Sequence, residues 1–206
     1  MRSLSVAIAI AAIVAASMAS AADRHAVYDV ALDLNRDGKA DRAVLVTTSP
    51  DTDSYSDDKS WYWLANDERI DLYIYFGAGD APPDLSKPPD VLAPGIVTAE
   101  RINQIYPLEA KANGALVVTG AYYLFSNSAS ETLTIVERKS ELVIAGYTYD
   151  FEWRTGEQGG CDVNLLTGRG VRYSGADSVK KTVRVPAKPV RLTQWSTKTR
   201  PKPCRF

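Results

Sequence analysis

The chain has 206 residues, 45% hydrophobic and 24% charged, with 24 basic against 25 acidic side chains and a formal net charge of −1. That composition excludes a disordered chain, which would be poorer in apolar residues and carry more net charge. It lacks the basic excess of a nucleic-acid binder, and beyond the N-terminus no stretch is apolar enough to span a bilayer.

In chain order, the first element is an export signal. Arg2 gives a short positive start, residues 4–16 are nearly all Leu, Val, Ile and Ala, and Ala19-Ser20-Ala21 is a small-residue cleavage pattern. Asp23, Arg24 and His25 follow at once. The run falls short of the roughly 20 residues a span requires, although an uncleaved anchor is the alternative. No Cys stands at the cleavage position to carry a lipid. The reading is a signal peptide at 1–21, one mature domain at 22–206, and a periplasmic or secreted bacterial protein.

Residues 47–60 are polar and acidic. Residues 69–76 alternate, with Ile70, Leu72, Ile74 and Phe76 on one face and Asp71, Tyr73 and Tyr75 on the other, which predicts a half-buried strand. Pro82, Pro83, Pro88, Pro89 and Pro94 make 77–94 a long loop. Residues 96–105 are the sole helix candidate. Strands are expected over 115–125, 132–137 and 142–153, with a loop at 126–131 and a hairpin turn at 138–140. Residues 156–160 read as a turn. A second hairpin is expected from 163–173 and 179–185, turning at 174–177, and 190–195 is a last short strand. The sum is a mostly β fold, an antiparallel sandwich or curved sheet with one short helix at most.

Cys161 and Cys204 are the only cysteines. In an oxidising compartment an isolated pair reads first as a disulfide, with two free thiols as the alternative. Charge is uneven along the chain. Residues 23–90 hold 15 acids and 7 bases, whereas residues 178–206 hold nine bases and no acid. The tail is therefore either a basic face for an anionic partner, a segment lying against the acidic first half, or simply solvated.

Residues 33–41 read Asp33-Leu34-Asn35-Arg36-Asp37-Gly38-Lys39-Ala40-Asp41, between two β-like runs. Oxygen side chains stand at loop positions one, three, five and nine. Gly38 stands at six, where the chain turns sharply, and Lys39 at seven offers its backbone carbonyl. Calcium takes about six to eight oxygens at about 2.3–2.6 Å, and this spacing gathers several from one loop. A plain Asp-Gly turn, the alternative, needs only Asp37 and Gly38. Position twelve is Val44, not the bidentate Glu of an EF-hand. Over residues 28–48 the pattern resembles the calcium loop of FG-GAP and VCBS-type repeats, D-x-[DN]-x-D-G-x-x-D, which joins two β-strands. The resemblance implies a structural calcium held by Asp33, Asn35, Asp37, the Lys39 carbonyl and Asp41. It does not extend to a propeller, because the motif occurs once.

Acyl transfer needs a nucleophile with a positioned base. The single His, His25, lies beside the expected cleavage site, and no hydrolase, zincin or phosphate-loop motif is present. No residue is given a catalytic role. Asp150 with Glu152, or Asp71, would supply the paired acids of a glycosidase. Aromatics gather at 61–63, at Tyr73 and Tyr75, at Tyr122-Tyr123, and at Tyr147, Tyr149 and Trp153. Such rings stack on sugars or anchor protein partners, or else pack across strands. The expectation is an exported, non-catalytic binding module stabilised by calcium, its partner an envelope glycan or a protein. The alternative is a cell-wall glycan hydrolase using paired carboxylates.

Overall fold

A computed structural model describes residues 24–48, 55–65, 68–97, 102–175 and 179–206. The expected signal peptide at 1–21 lies outside the described residues. Two sheets are built from β1 (His25–Leu32), β2 (Asp41–Thr47), β3 (Tyr62–Trp63), β4 (Asp71–Tyr75), β5 (Val91–Ala93), β6 (Gln104–Ile105), β7 (Glu109–Ala110), β8 (Leu116–Leu124), β9 (Asn127–Arg138), β10 (Glu141–Glu152), β11 (Gln158–Asn164), β12 (Arg169–Ser174), β13 (Lys181–Arg184) and β14 (Val190–Arg191). The smaller sheet runs β1-β2-β4-β5 and the larger β13-β12-β11-β10-β9-β8-β6-β3, with β14 added on β10 and β7 on β8. Every strand pairing is antiparallel. The mostly β, antiparallel reading holds.

Period-two alternation explains why the sheets pack. Leu45, Leu72 and Ile74 of the small sheet join Leu116, Val118, Leu133, Ile135 and Ile144 of the large one in a single buried cluster. Fully burying each such side chain contributes about 1.5–3 kcal/mol. The small sheet does not cover all of the large one. Over the rest lies the C-terminal segment, in three single-turn 3₁₀ pieces, Leu192–Gln194, Thr197–Thr199 and Lys202–Cys204. It lays Trp195 on Tyr147, and Phe206 on Tyr149 and Phe151. The Arg172 guanidinium sits 4.5 Å over the Phe206 ring. Cys161 and Cys204 form the expected disulfide, Cα–Cα 5.3 Å, clamping this segment to β11.

Several local expectations are corrected. Residues 127–131 are strand, not loop, and the turn is Phe125-Ser126 alone. The run 163–173 breaks at 165–168 into β11 and β12, which pair with each other, while β12 also pairs antiparallel with β13 as the expected second hairpin requires. Residues 158–160 belong to β11 and not to a turn. Residues 96–105 contain no helix among the described positions, since 104–105 are strand; 98–101 lie outside the described residues. Residues 176 and 177 of the expected turn also lie outside. Only 190–191 of the last predicted strand is strand. Tyr73 and Tyr75 do not face solvent, because they form a second buried cluster with Val44 and Val46. The proline-rich segment covers them: Leu85 packs there and the Tyr75 hydroxyl donates to the Lys87 carbonyl at 3.3 Å. A loop of prolines cannot pair in a sheet interior, but it can roof one.

Candidate functional site

The 33–41 loop joins β1 to β2, the two β-like runs that flank it in the sequence. It is wound by its own side chains. The Asp33 carboxylate accepts the amides of Asp37 at 3.1 Å and Gly38 at 3.0 Å. Asn35 Oδ1 accepts the Asp37 amide at 3.0 Å, and Asp37 Oδ1 accepts the Lys39 amide at 2.9 Å. Gly38 has φ +81°, a conformation that costs L side chains energy, which is why Gly stands at position six. Asp41 behaves differently. It is fully buried, accepting from Leu34 at 2.9 Å, Asn35 at 3.3 Å and Gly77 at 2.8 Å. Asp33, Asn35 and Asp37 thus stay on the outer side, while Asp41 ties the loop to the sheet. Asn35 and Asp37 line a cavity of about 540 Å³ whose other walls include Glu137 and Glu141. Among the described residues, no three His, Cys, Asp or Glu side chains are grouped to hold a metal ion.

A second constellation lies on the outer face of the large sheet, near the β8–β9 turn. Successive side chains of a strand alternate sides, so Asp150 and Glu152 emerge on the same face of β10. Register sets Ser130 and Gly160 beside Asp150, and Ser128 and Gln158 beside Glu152. Tyr123 pairs with Ser128 on one flank, and Tyr173 with Gly160 on the other. Apart from Gly160, these residues line a shallow groove of about 270 Å³. The Tyr173 hydroxyl donates to Asp150. This bond passes over Gly160, where a Cβ would collide with the Asp150 carboxylate and the Tyr173 hydroxyl. Burial, and then the bond to Asp150, push the Tyr173 hydroxyl up to about 12. Further along the face, Thr119 and Thr132 share a hydroxyl contact at 3.2 Å and Thr148 reaches Asp162 at 3.4 Å. The face is a field of hydroxyls and carboxylates between two tyrosines.

Among the described residues, Asp71 is not paired with another acid. It accepts from Arg69 and from the Gly95 amide. His25 is exposed at the start of β1, opposite Thr47. Of the aromatics, Tyr62, Tyr147, Tyr73 and Tyr75 are core, whereas Trp63 and Tyr123 are exposed. Sequence reasoning named Asp150, Glu152 and Tyr123 but missed Tyr173, Ser128, Ser130 and Gly160. The signal was present in the alternation of Ser128, Ser130, Thr132 and Thr134 with Ala129, Leu133 and Ile135. Glu131 interrupts it from an inward position.

No helix among the described residues is long and apolar enough to cross a membrane. No protein-family model, curated protein or solved structure significantly matches this chain.

Proposed function

We propose that the protein is an exported, non-catalytic binding module of the bacterial envelope that takes a hydroxyl-rich saccharide on the outer face of its large sheet. The observation that carries this reading is the groove in which Tyr123 and Tyr173 bracket Ser128, Ser130, Asp150, Glu152 and Gln158. Tyrosine rings offer apolar faces to sugar C–H groups. Carboxylates and hydroxyls accept and donate to sugar hydroxyls, and charge-assisted bonds are the stronger ones. A glycan screen with the disulfide-intact protein tests it. Tyr123→Ala and Gln158→Ala are each expected to weaken a bound glycan about tenfold, roughly 1.4 kcal/mol. Equal binding by both variants would remove the groove from the reading.

The hydrolase reading has one favourable observation. Asp150 and Glu152 project from the same face of β10 with their backbones roughly 6.6 Å apart, a spacing from which two carboxyl groups can reach the roughly 6.5–9.5 Å of an inverting pair. Against it, the groove is shallow and Asp150 already accepts the Tyr173 hydroxyl. Release of reducing ends from a bound glycan, lost in Glu152→Gln, would favour turnover over simple binding.

We further propose calcium as a structural ligand of the 33–41 loop. Asp33, Asn35, Asp37 and the Lys39 carbonyl supply hard oxygen donors, and Asp41 fixes the loop's path. Extracellular modules bind calcium at about 10⁻⁴–10⁻³ M. At tenfold its Kd, calcium would add about 1.4 kcal/mol, a rise in Tm of about 3–5 °C. Asp37→Ala is expected to abolish the rise. Identical melting with calcium and with chelator would contradict it.

A further inference from the structure

Towards the opposite end of the large sheet, roughly 23–36 Å along β10 from the saccharide groove, lies an open cavity of about 1230 Å³. Two sequence-remote sources build it. Arg138 and Lys139 come from the β9–β10 turn, and Arg184, Lys188, Arg191, Arg200 and Lys202 from the C-terminal segment. The one acid in its lining, Glu141, is engaged by Arg191 at 2.8 Å. Arg200 reaches inward to Glu131 at 3.3 Å. Among the described residues, no ion pair is made by Arg138, Lys139, Arg184, Lys188 or Lys202. Nor does any described ion pair join the basic tail to the acidic first half of the chain. Gathering so many like charges in a concavity costs self-repulsion, which an anionic occupant would relieve.

We propose that this cavity is a second, independent binding site that takes an acidic polysaccharide, a sugar chain bearing sulfate, phosphate or carboxylate groups. Several cations spread around the lining of one hollow match a ligand whose charges repeat along a chain. Apart from Gln194 and Thr199, the rest of the lining is aliphatic and proline, with no aromatic side chain. Single-stranded nucleic acid sites add aromatic platforms for bases, and none is offered here. A membrane surface is met by protruding apolar or basic groups, whereas this site is concave. The outer face near Asp150 and Glu152 is acidic, so an anionic chain is directed to the cavity and away from the groove.

The test measures binding of the disulfide-intact protein to size-fractionated dextran sulfate, with uncharged dextran, a single-stranded oligonucleotide and anionic phospholipid vesicles as competing arms. Dextran sulfate is expected to bind, and to weaken about tenfold or more between 50 and 200 mM salt, as multiple ion contacts require. Arg184→Glu with Lys188→Glu, both at exposed positions, is expected to lose about tenfold, while Lys59→Glu on a distant loop keeps full affinity. No binding of dextran sulfate, or equal loss in Lys59→Glu, would overturn the site. Tighter binding of oligonucleotide or vesicles would overturn the acidic polysaccharide as its occupant. Tyr123→Ala should leave dextran sulfate binding intact, so failure here and failure of the saccharide groove are separate outcomes.

Discussion

Glu131 occupies a position where the alternation of β9 calls for an apolar side chain. It is buried, and it accepts the Tyr147 hydroxyl at 3.0 Å beside the Arg200 guanidinium. A buried pair adds little net stability over an apolar replacement, yet removing one partner strands the other charge. Glu131→Ala is therefore expected to cost about 3–5 kcal/mol in urea unfolding; a loss below about 1 kcal/mol would mean that Arg200 finds water instead. Tyrosines supply a second residue-scale expectation. Tyr173 is held up to about 12 by burial and its bond to Asp150, and burial drives Tyr147 further. An unfolded tyrosine ionises near pH 10. Between about pH 10 and 12 the unfolded chain has lost protons that the folded chain keeps, so stability falls as pH rises through that window. Tyr173→Phe is expected to flatten the start of this fall. An unchanged alkaline slope would show that Tyr173 does not sense the fold.

At the scale of elements, the C-terminal segment acts as part of the second layer. A segment with Pro201 and Pro203 cannot pair deep in a sheet, so it holds by side chains and by Cys161–Cys204. The bridge closes a loop with a sequence separation of 43, for which chain entropy gives about 4 kcal/mol. Reduction is expected to lower stability by that order and to raise amide exchange across 192–206 while β8 and β9 stay protected. Unchanged exchange in the tail would mean that Trp195 and Phe206 suffice to hold it. The disulfide was legible from two isolated cysteines behind an expected export signal. The roofing role of the tail was not, because single-turn 3₁₀ pieces carry no period. The turn at 165–168 was hidden for a related reason: Leu165 extends the alternation of Cys161 and Val163, and the turn is marked only by Asn164, whose side chain accepts the Leu166 and Thr167 amides, and by Gly168.

At the scale of the molecule, the alternating strands announced a mostly β antiparallel fold, a sandwich or a curved sheet, and Asp33 to Asp41 announced a loop between two strands with oxygen side chains at fixed spacing. What alternation along one strand cannot convey is which strands become neighbours. The groove proposed for a saccharide draws on β8, β9, β10, β11 and β12, and the basic cavity on a turn and a tail some 50 residues apart (Arg138 and Lys188). Neither assembles within a sequence window. The most direct measurement is an amide NMR titration of the disulfide-intact protein with the neutral glycan found by screening. The expected result is shifts confined to Tyr123, to residues 128–130, 150–152 and 158–160, and to Tyr173, with the 33–41 loop and residues 184–191 unmoved. Shifts centred on any other surface, with the groove silent, would contradict saccharide binding on the outer face of the large sheet.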